Sequence, residues 1–146
     1  MELITDRTQA HVDRLNTLKK KGWSNLSDSE KNEWYGEAAK GAYNYTDLNR
    51  VENAVAEIAK ALGMELTTKT NWGLWDVPTQ EDMNRYLSNI EAVRNGCPSK
   101  NHIPDVPIRM SGLTFAVANR LEEILLLTNR SAETIPRCGE IFCGEV

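Results

Sequence analysis

The stretch GAYNYTDLNRVENAVAEIAKALG, residues 41–63, decides how this chain is read. Leu48, Val51, Val55, Ile58 and Leu62 step by three and four, which lines one narrow seam on a helix of 3.6 residues per turn. Asn44 or Thr46 can cap its start, Asp47 adds a negative charge to the first turn, and Gly63 is placed to stop it. Arg50, Asn53, Glu57 and Lys60 fall on the opposite face, where solvent is expected. The seam accounts for most of the stretch without a ligand. Tyr43 and Tyr45, ahead of the helix, are left as candidate contacts to a neighbouring subunit.

Four further amphipathic segments flank it. The first spans about 8–21, with Val12, Leu15 and Leu18 on one face, Lys19, Lys20 and Lys21 opposing the dipole in its last turn, and Gly22 ending it. The second opens at SDSE, where Ser27 and Glu30 form a capping box, and is expected to run to Ala39 or Lys40. In MELTTKTNW, Leu66, Thr67, Thr68 and Thr70 favour extended backbone. Pro78 and Thr79 then announce a fourth helix, its inward face Met83, Tyr86, Leu87, Ile90 and Val93, closed by Gly96.

Residues 95–112, rich in Pro, Gly and Asn, read as a linker or ordered crossover. The fifth helix, about 114–132, carries Ile124, Leu125, Leu126 and Leu127 at successive positions. At ~100° per residue these cover most of its circumference. Either this helix is central or Leu126 and Leu127 meet another chain. The terminal GEIFCGEV reads as a strand or extended tail, with Ile141 and Phe142 as partner candidates. The expected fold is mainly α: five helices, with short extended segments near 65–70 and at the C-terminus. Residues 1–96, the crossover 97–112, and the long helix with its tail at 113–146 together make one compact domain. Arg14, Arg50, Arg85 and Arg120 recur at separations of 36, 35 and 35 residues, but no tetratricopeptide signature accompanies them, and the recurrence reads as coincidence.

A chain of 146 residues, 40% hydrophobic and 26% charged, can bury a real core without staples. A net charge of -4 and pI near 5.3 argue against a nucleic-acid groove. No segment approaches the ~18 consecutive apolar residues of a membrane span, and the N-terminus lacks a signal pattern, so a soluble protein made in a cytoplasm is expected. Three cysteines suggest reduced thiols.

Catalytic equipment is not evident. Neither His11 nor His102 lies in a nucleophile, metalloprotease or phosphate-binding motif, and Glu122 and Glu123, adjacent on a helix, point apart. No enzyme and no cofactor is expected. Cys97, His102, Cys138 and Cys143 could supply a tetrahedral zinc set, but their spacing is looser than the usual knuckle and cysteines fill cores without binding metal. Among four tryptophans, Trp72 and Trp75 in TNWGLWDVP are the candidates for a partner or carbohydrate platform, against the alternative of packing.

Four pieces, ITDRTQAHVDR, GAYNYTDLNRVENAVAEIA, TNWGLWDVPTQEDMNRYLSNIEAVR and CGEIFCGEV, together resemble small structural proteins encoded in tail modules of phages and prophages of Firmicutes. The likeness covers most of the chain in the same order. It departs at Cys138 and Cys143, where that group reads more like serine and alanine, and in the crossover. The resemblance implies a virion component at the tail, baseplate or fibre attachment, assembled in the host cytoplasm. It would bind other tail proteins and be a homo-oligomer, with no nucleic acid or membrane partner. A carbohydrate (cell-wall) recognition module and a zinc-stabilised regulatory domain are the alternatives.

Overall fold

The computed structural model describes residues 1–35 and 39–134. It contains α1 (Gln9–Lys21), α2 (Asp28–Tyr35), α3 (Tyr45–Ala61), α4 (Gln80–Asn95) and α5 (Phe115–Glu133), with single 3-10 turns at Trp23–Asn25 and Lys100–His102. The five expected helices are therefore present. The expected end of the second near Ala39 or Lys40 meets residues 36–38, which lie outside the described residues, as does the whole C-terminal segment from residue 135.

Helices α3, α4 and α5 pack against one another and hold the core. Val51, Ile58, Ile90, Val93, Leu121, Ile124 and Leu125 are fully enclosed between them. Helix α5 touches both of the others, so its over-apolar stretch faces two partners within the chain. Ile124 and Leu125 are buried, while Leu126 and Leu127 are half-buried and Leu127 still packs on the core. Truncating Leu125 there would remove both its transfer free energy and the filling of its cavity, about 2–5 kcal/mol.

The termini of the core helices obey the local chemistry read from the sequence. Asn44, not Thr46, caps α3, its side chain accepting from the Thr46 N–H while Asp47 takes the Asn44 N–H at 2.8 Å. Thr79 and Asp82 reciprocate in the same way at α4, and Thr114 caps α5. Gly63, at φ +68°, turns the chain out of α3 in the left-handed region that glycine adopts without a Cβ penalty.

The segment at 65–70 forms no strand ladder; none of the described residues does. Side chains take the place of a strand partner. Arg85 and Asn89 of α4 donate to the Thr67 carbonyl, and Glu52 of α3 receives the Lys69 N–H. The crossover is likewise ordered against the core, through buried Cys97 and Ile103 and through Arg94, whose guanidinium donates to the Ile103 carbonyl and pairs with Asp105.

Helices α1 and α2 form a more exposed hairpin beside this core. Leu18 is the only buried residue of α1, and α2 has none. Arg14–Glu33 and Lys21–Glu30 tie the two together across their exposed faces. The hairpin meets the core through backbone: a Cβ on Gly41 would lie 2.2 Å from the His11 carbonyl oxygen. Gly41→Ala must move helix α1 and is expected to cost about 2–3 kcal/mol in urea unfolding. Gly63→Ala, which has open space but a positive φ, should cost only about 1–2 kcal/mol.

The hydrogen bond from Lys21, followed by that from the Ser27 N–H, holds the Glu30 carboxyl down at about 2 against an ordinary value of 4.5. A depressed carboxylate contributes stability above its unfolded value and loses it as pH falls through its folded one. Amide exchange in α2 should therefore quicken between about pH 4.5 and 2. A pH-independent exchange rate in α2, corrected for intrinsic chemistry, would count against this contact.

Candidate functional site

The helices of the core share a register that their arginines had signalled. N-caps stand at Thr8, Asn44, Thr79 and Thr114, and each recurring arginine is the sixth residue after its cap. Of the four, Arg50 and Arg85 reach a buried carboxylate, while Arg14 pairs with Glu33 on the surface and Arg120 is exposed. In α3 and α5 the likeness extends to bonding. Asn49 receives the Trp72 N–H at 2.7 Å and donates to the Trp72 carbonyl at 2.9 Å; Asn119 does the same for Arg7 at 3.0 and 2.9 Å. Three residues further along each helix a buried glutamate takes another N–H of the same segment. Glu52 takes that of Lys69 at 3.0 Å and Glu122 that of Ile4 at 2.6 Å.

Each glutamate is neutralised by the arginine at the sixth position of a neighbouring helix. Arg85 of α4 forks onto Glu52, and Arg50 of α3 onto Glu122. A carboxylate stripped of water needs such bidentate partners, because its desolvation costs several kcal/mol. The Glu122 node is the larger. Arg7 enters from the N-terminal segment, donating to Glu122 at 2.6 Å and to Asp47 at 2.7 Å, and Arg50 also bonds Asp47. Arg7 is 3% exposed and Glu122 0%. Arg50 was expected on a polar outer face; its side chain is only 16% exposed and belongs to this node. Burial disfavours its charge, but Glu122 and Asp47 more than offset that and hold the guanidinium above its ordinary value.

Helix α4 carries Asn84 and Leu87 at the corresponding positions. Asn84 is exposed and bonded only by Gln80 of its own helix, and Leu87 faces the core. The sequence supplies the reason. Lys69 and Trp72 stand ten and seven residues ahead of the Thr79 cap, and at the same distances ahead of Thr114 stand Pro104 and Pro107, which have no N–H to give.

The candidate contact residues separate accordingly. Tyr43 turns its hydroxyl inward onto that of Tyr86 at 2.5 Å, with the Arg7 guanidinium 5.6 Å above its ring, and burial pushes both phenols up. Tyr45 is half-buried at the edge of a 570 Å³ cleft with Glu2, Ile4, Asn49, Arg50 and Asn53. Trp72 is 4% exposed, with the Lys69 ammonium 3.7 Å from its ring centroid, so it is a core residue and not half of a platform. Trp75 is 85% exposed. Ile141 and Phe142 lie outside the described residues.

The expected alternative of thiols and His102 around zinc gains no geometry. Cys97 is buried with its sulfur 3.9 Å from the Thr128 carbonyl, His102 is exposed, and Cys138 and Cys143 lie outside the described residues. No cluster of three metal-ligating side chains occurs among the described residues, and no helix there is long and apolar enough to cross a membrane.

What remains accessible is a shaped apolar surface. Leu74, Trp75 and Val77 project from a loop pinned at one end by Asn49 on Trp72 and at the other by the Thr79–Asp82 box. Within it Asp76 accepts from the Gly73 N–H, which with Lys69 lowers its pKa. Pro78, next to Val77, lines a 370 Å³ cleft whose other wall holds Arg109 and Met110, next to Ile108. Val77 and Ile108 are 84% and 98% exposed.

No protein-family model matches the chain, and no curated protein or solved structure proved similar to it.

Removing the Glu122 carboxylate leaves Arg7 and Arg50 to share the single carboxylate of Asp47 in a buried site, while Glu123 is exposed on the same helix. Glu122→Ala should therefore destabilise the fold by about 3–5 kcal/mol in chemical denaturation. Glu123→Ala should stay within about 0.5 kcal/mol. Equal effects of the two would contradict the node.

Proposed function

We propose that this protein is a non-enzymatic structural component of a phage or prophage tail, an adaptor at the baseplate or fibre attachment that works by binding other virion subunits. The observation that carries the reading is the exposure of Trp75 and Val77 on a loop pinned at both ends, with Ile108 exposed as well. Large apolar side chains held in water on pinned loops lose little entropy when a partner covers them. The buried charged groups agree with it, since each carboxylate of the two nodes is consumed by arginines and backbone N–H groups that hold the fold together. The resemblance of the sequence to tail-module proteins supplies the assembly. The protein then resides in the virion after folding in the host cytoplasm.

Mass spectrometry of purified particles should find the polypeptide at a constant ratio to tail subunits, and particles that lack it would overturn the assignment. The exposed Trp75 indole also favours a second reading, recognition of cell-wall carbohydrate at the tail tip. It requires binding to isolated cell walls that Trp75→Ala abolishes.

A further inference from the structure

The repeated register leaves one segment of the chain without a place. Counted from the helix caps, the positions that Lys69 and Trp72 hold after α3 and Pro104 and Pro107 hold after α4 fall, after α5, on Gly139 and Phe142. The acceptor groups for them are ready on α5, in Asn119 and Glu122. Those groups are already taken by Arg7 and Ile4 of the N-terminal segment. The sequence around Phe142, EIFCGEV, nevertheless sets an adjacent apolar pair, Ile141 and Phe142, between two acids, Glu140 and Glu145.

The cleft between the Pro78 loop and the Met110 loop has the complementary chemistry. Tyr43, Met83, Met110 and Leu113 give it an apolar floor whose two methionines are adaptable, and exposed Val77 and Ile108 adjoin its lining residues Pro78 and Arg109 in the chain. Its charged lining residue is Arg109, which is exposed and has no ion-pair partner among the described residues. An apolar segment bearing a carboxylate fits this surface; a basic one does not.

Reach decides between the same copy and another. Leu113, in the cleft, immediately precedes the Thr114 cap of α5, and the 19 residues of that helix rise about 28 Å to Glu133. Nine residues separate Glu133 from Phe142, which at full extension span roughly 30 Å. Folding back onto the same copy would leave no slack for a turn. A second copy imposes no such limit.

We propose that residues 140–145 of one copy dock in the Tyr43–Met83–Arg109–Met110 cleft of a second copy, Ile141 and Phe142 on the apolar floor and Glu140 or Glu145 against Arg109. The inference concerns self-association and stands apart from the tail assignment: a monomer in solution overturns it and leaves the particle experiment untouched. It is tested on the full chain under reducing conditions by sedimentation equilibrium, with circular dichroism and thermal unfolding as controls. The parent protein should self-associate with rising concentration. Phe142→Asp and Arg109→Glu should each weaken association at least about tenfold without changing helicity, and Arg109→Glu combined with charge reversal at Glu140 and Glu145 should restore it. A strictly monomeric parent overturns the proposal. So does association that survives Phe142→Asp but is lost in Val77→Asp, which would seat another surface of the second copy in the cleft. A monomer whose melting temperature falls in Phe142→Asp would place the segment on its own chain and equally overturn it.

Discussion

The Glu122 carboxylate is the point on which the rest of this fold depends. It sits without solvent contact on α5 and accepts from Arg7, Arg50 and the Ile4 N–H, so the N-terminal segment and α3 converge on one group of a third element. Buried ion pairs often contribute no more net stability than apolar side chains of equal volume, because each ion gives up its hydration. Their effect here is on choice among alternatives. Any packing of α3 on α5 that slips by a turn, or any path of the N-terminal segment that misplaces Arg7, strands a charge in a low-dielectric interior. The apolar seam makes the helices collapse together, and the charges select how they do so.

The same device recurs at Glu52, Arg85 and Asn49, and the recurrence explains how a helical protein holds non-helical segments without a sheet. Backbone N–H and C=O groups buried beside a core must be satisfied. Here an asparagine side chain, whose NH2 group and carbonyl oxygen can present a donor and an acceptor side by side as a peptide does, pairs with both groups of Trp72 in one segment and of Arg7 in the other. The segments run opposite to the helices that hold them, since the earlier residue of each meets the later helix position. On α4 the prolines of the crossover lack the N–H groups to be received, and a leucine stands where the glutamate would be. The N–H donors and the carboxylate acceptor are absent together, although Asn84 keeps its place.

This architecture also sorts the aromatic residues. Trp72 belongs to the anchoring of its segment and is unavailable to a partner, while Trp75 projects from a loop whose ends are fixed by Asn49 on Trp72 and by the Thr79–Asp82 box. Rigidity at the base and exposure at the tip are therefore two results of one set of contacts. The exposed hairpin of α1 and α2 differs in kind: its ties are surface ion pairs, worth little each and weakened by salt.

Caps, stop glycines and the seams of α3 and α4 were legible in the sequence because they depend on neighbours three or four residues away. The sites at Ser27, Thr79 and Gly63 are settled by local hydrogen bonding and by φ alone, and the apolar residues of residues 41–63 choose their face by periodicity. The recurring N-R-x-E of residues 49–52 and 119–122 was also on view, and reading two residues beyond Arg50 and Arg120 would have marked Glu52 and Glu122. What the sequence could not disclose was their burial. Whether Arg50 meets water or a carboxylate, whether Trp72 lies in or out, and what covers the apolar run of α5 all depend on groups up to 118 residues apart. Those outcomes were decided only in the tertiary structure, because a charged or amphipathic side chain takes its environment from what is packed against it and not from its own neighbours along the chain.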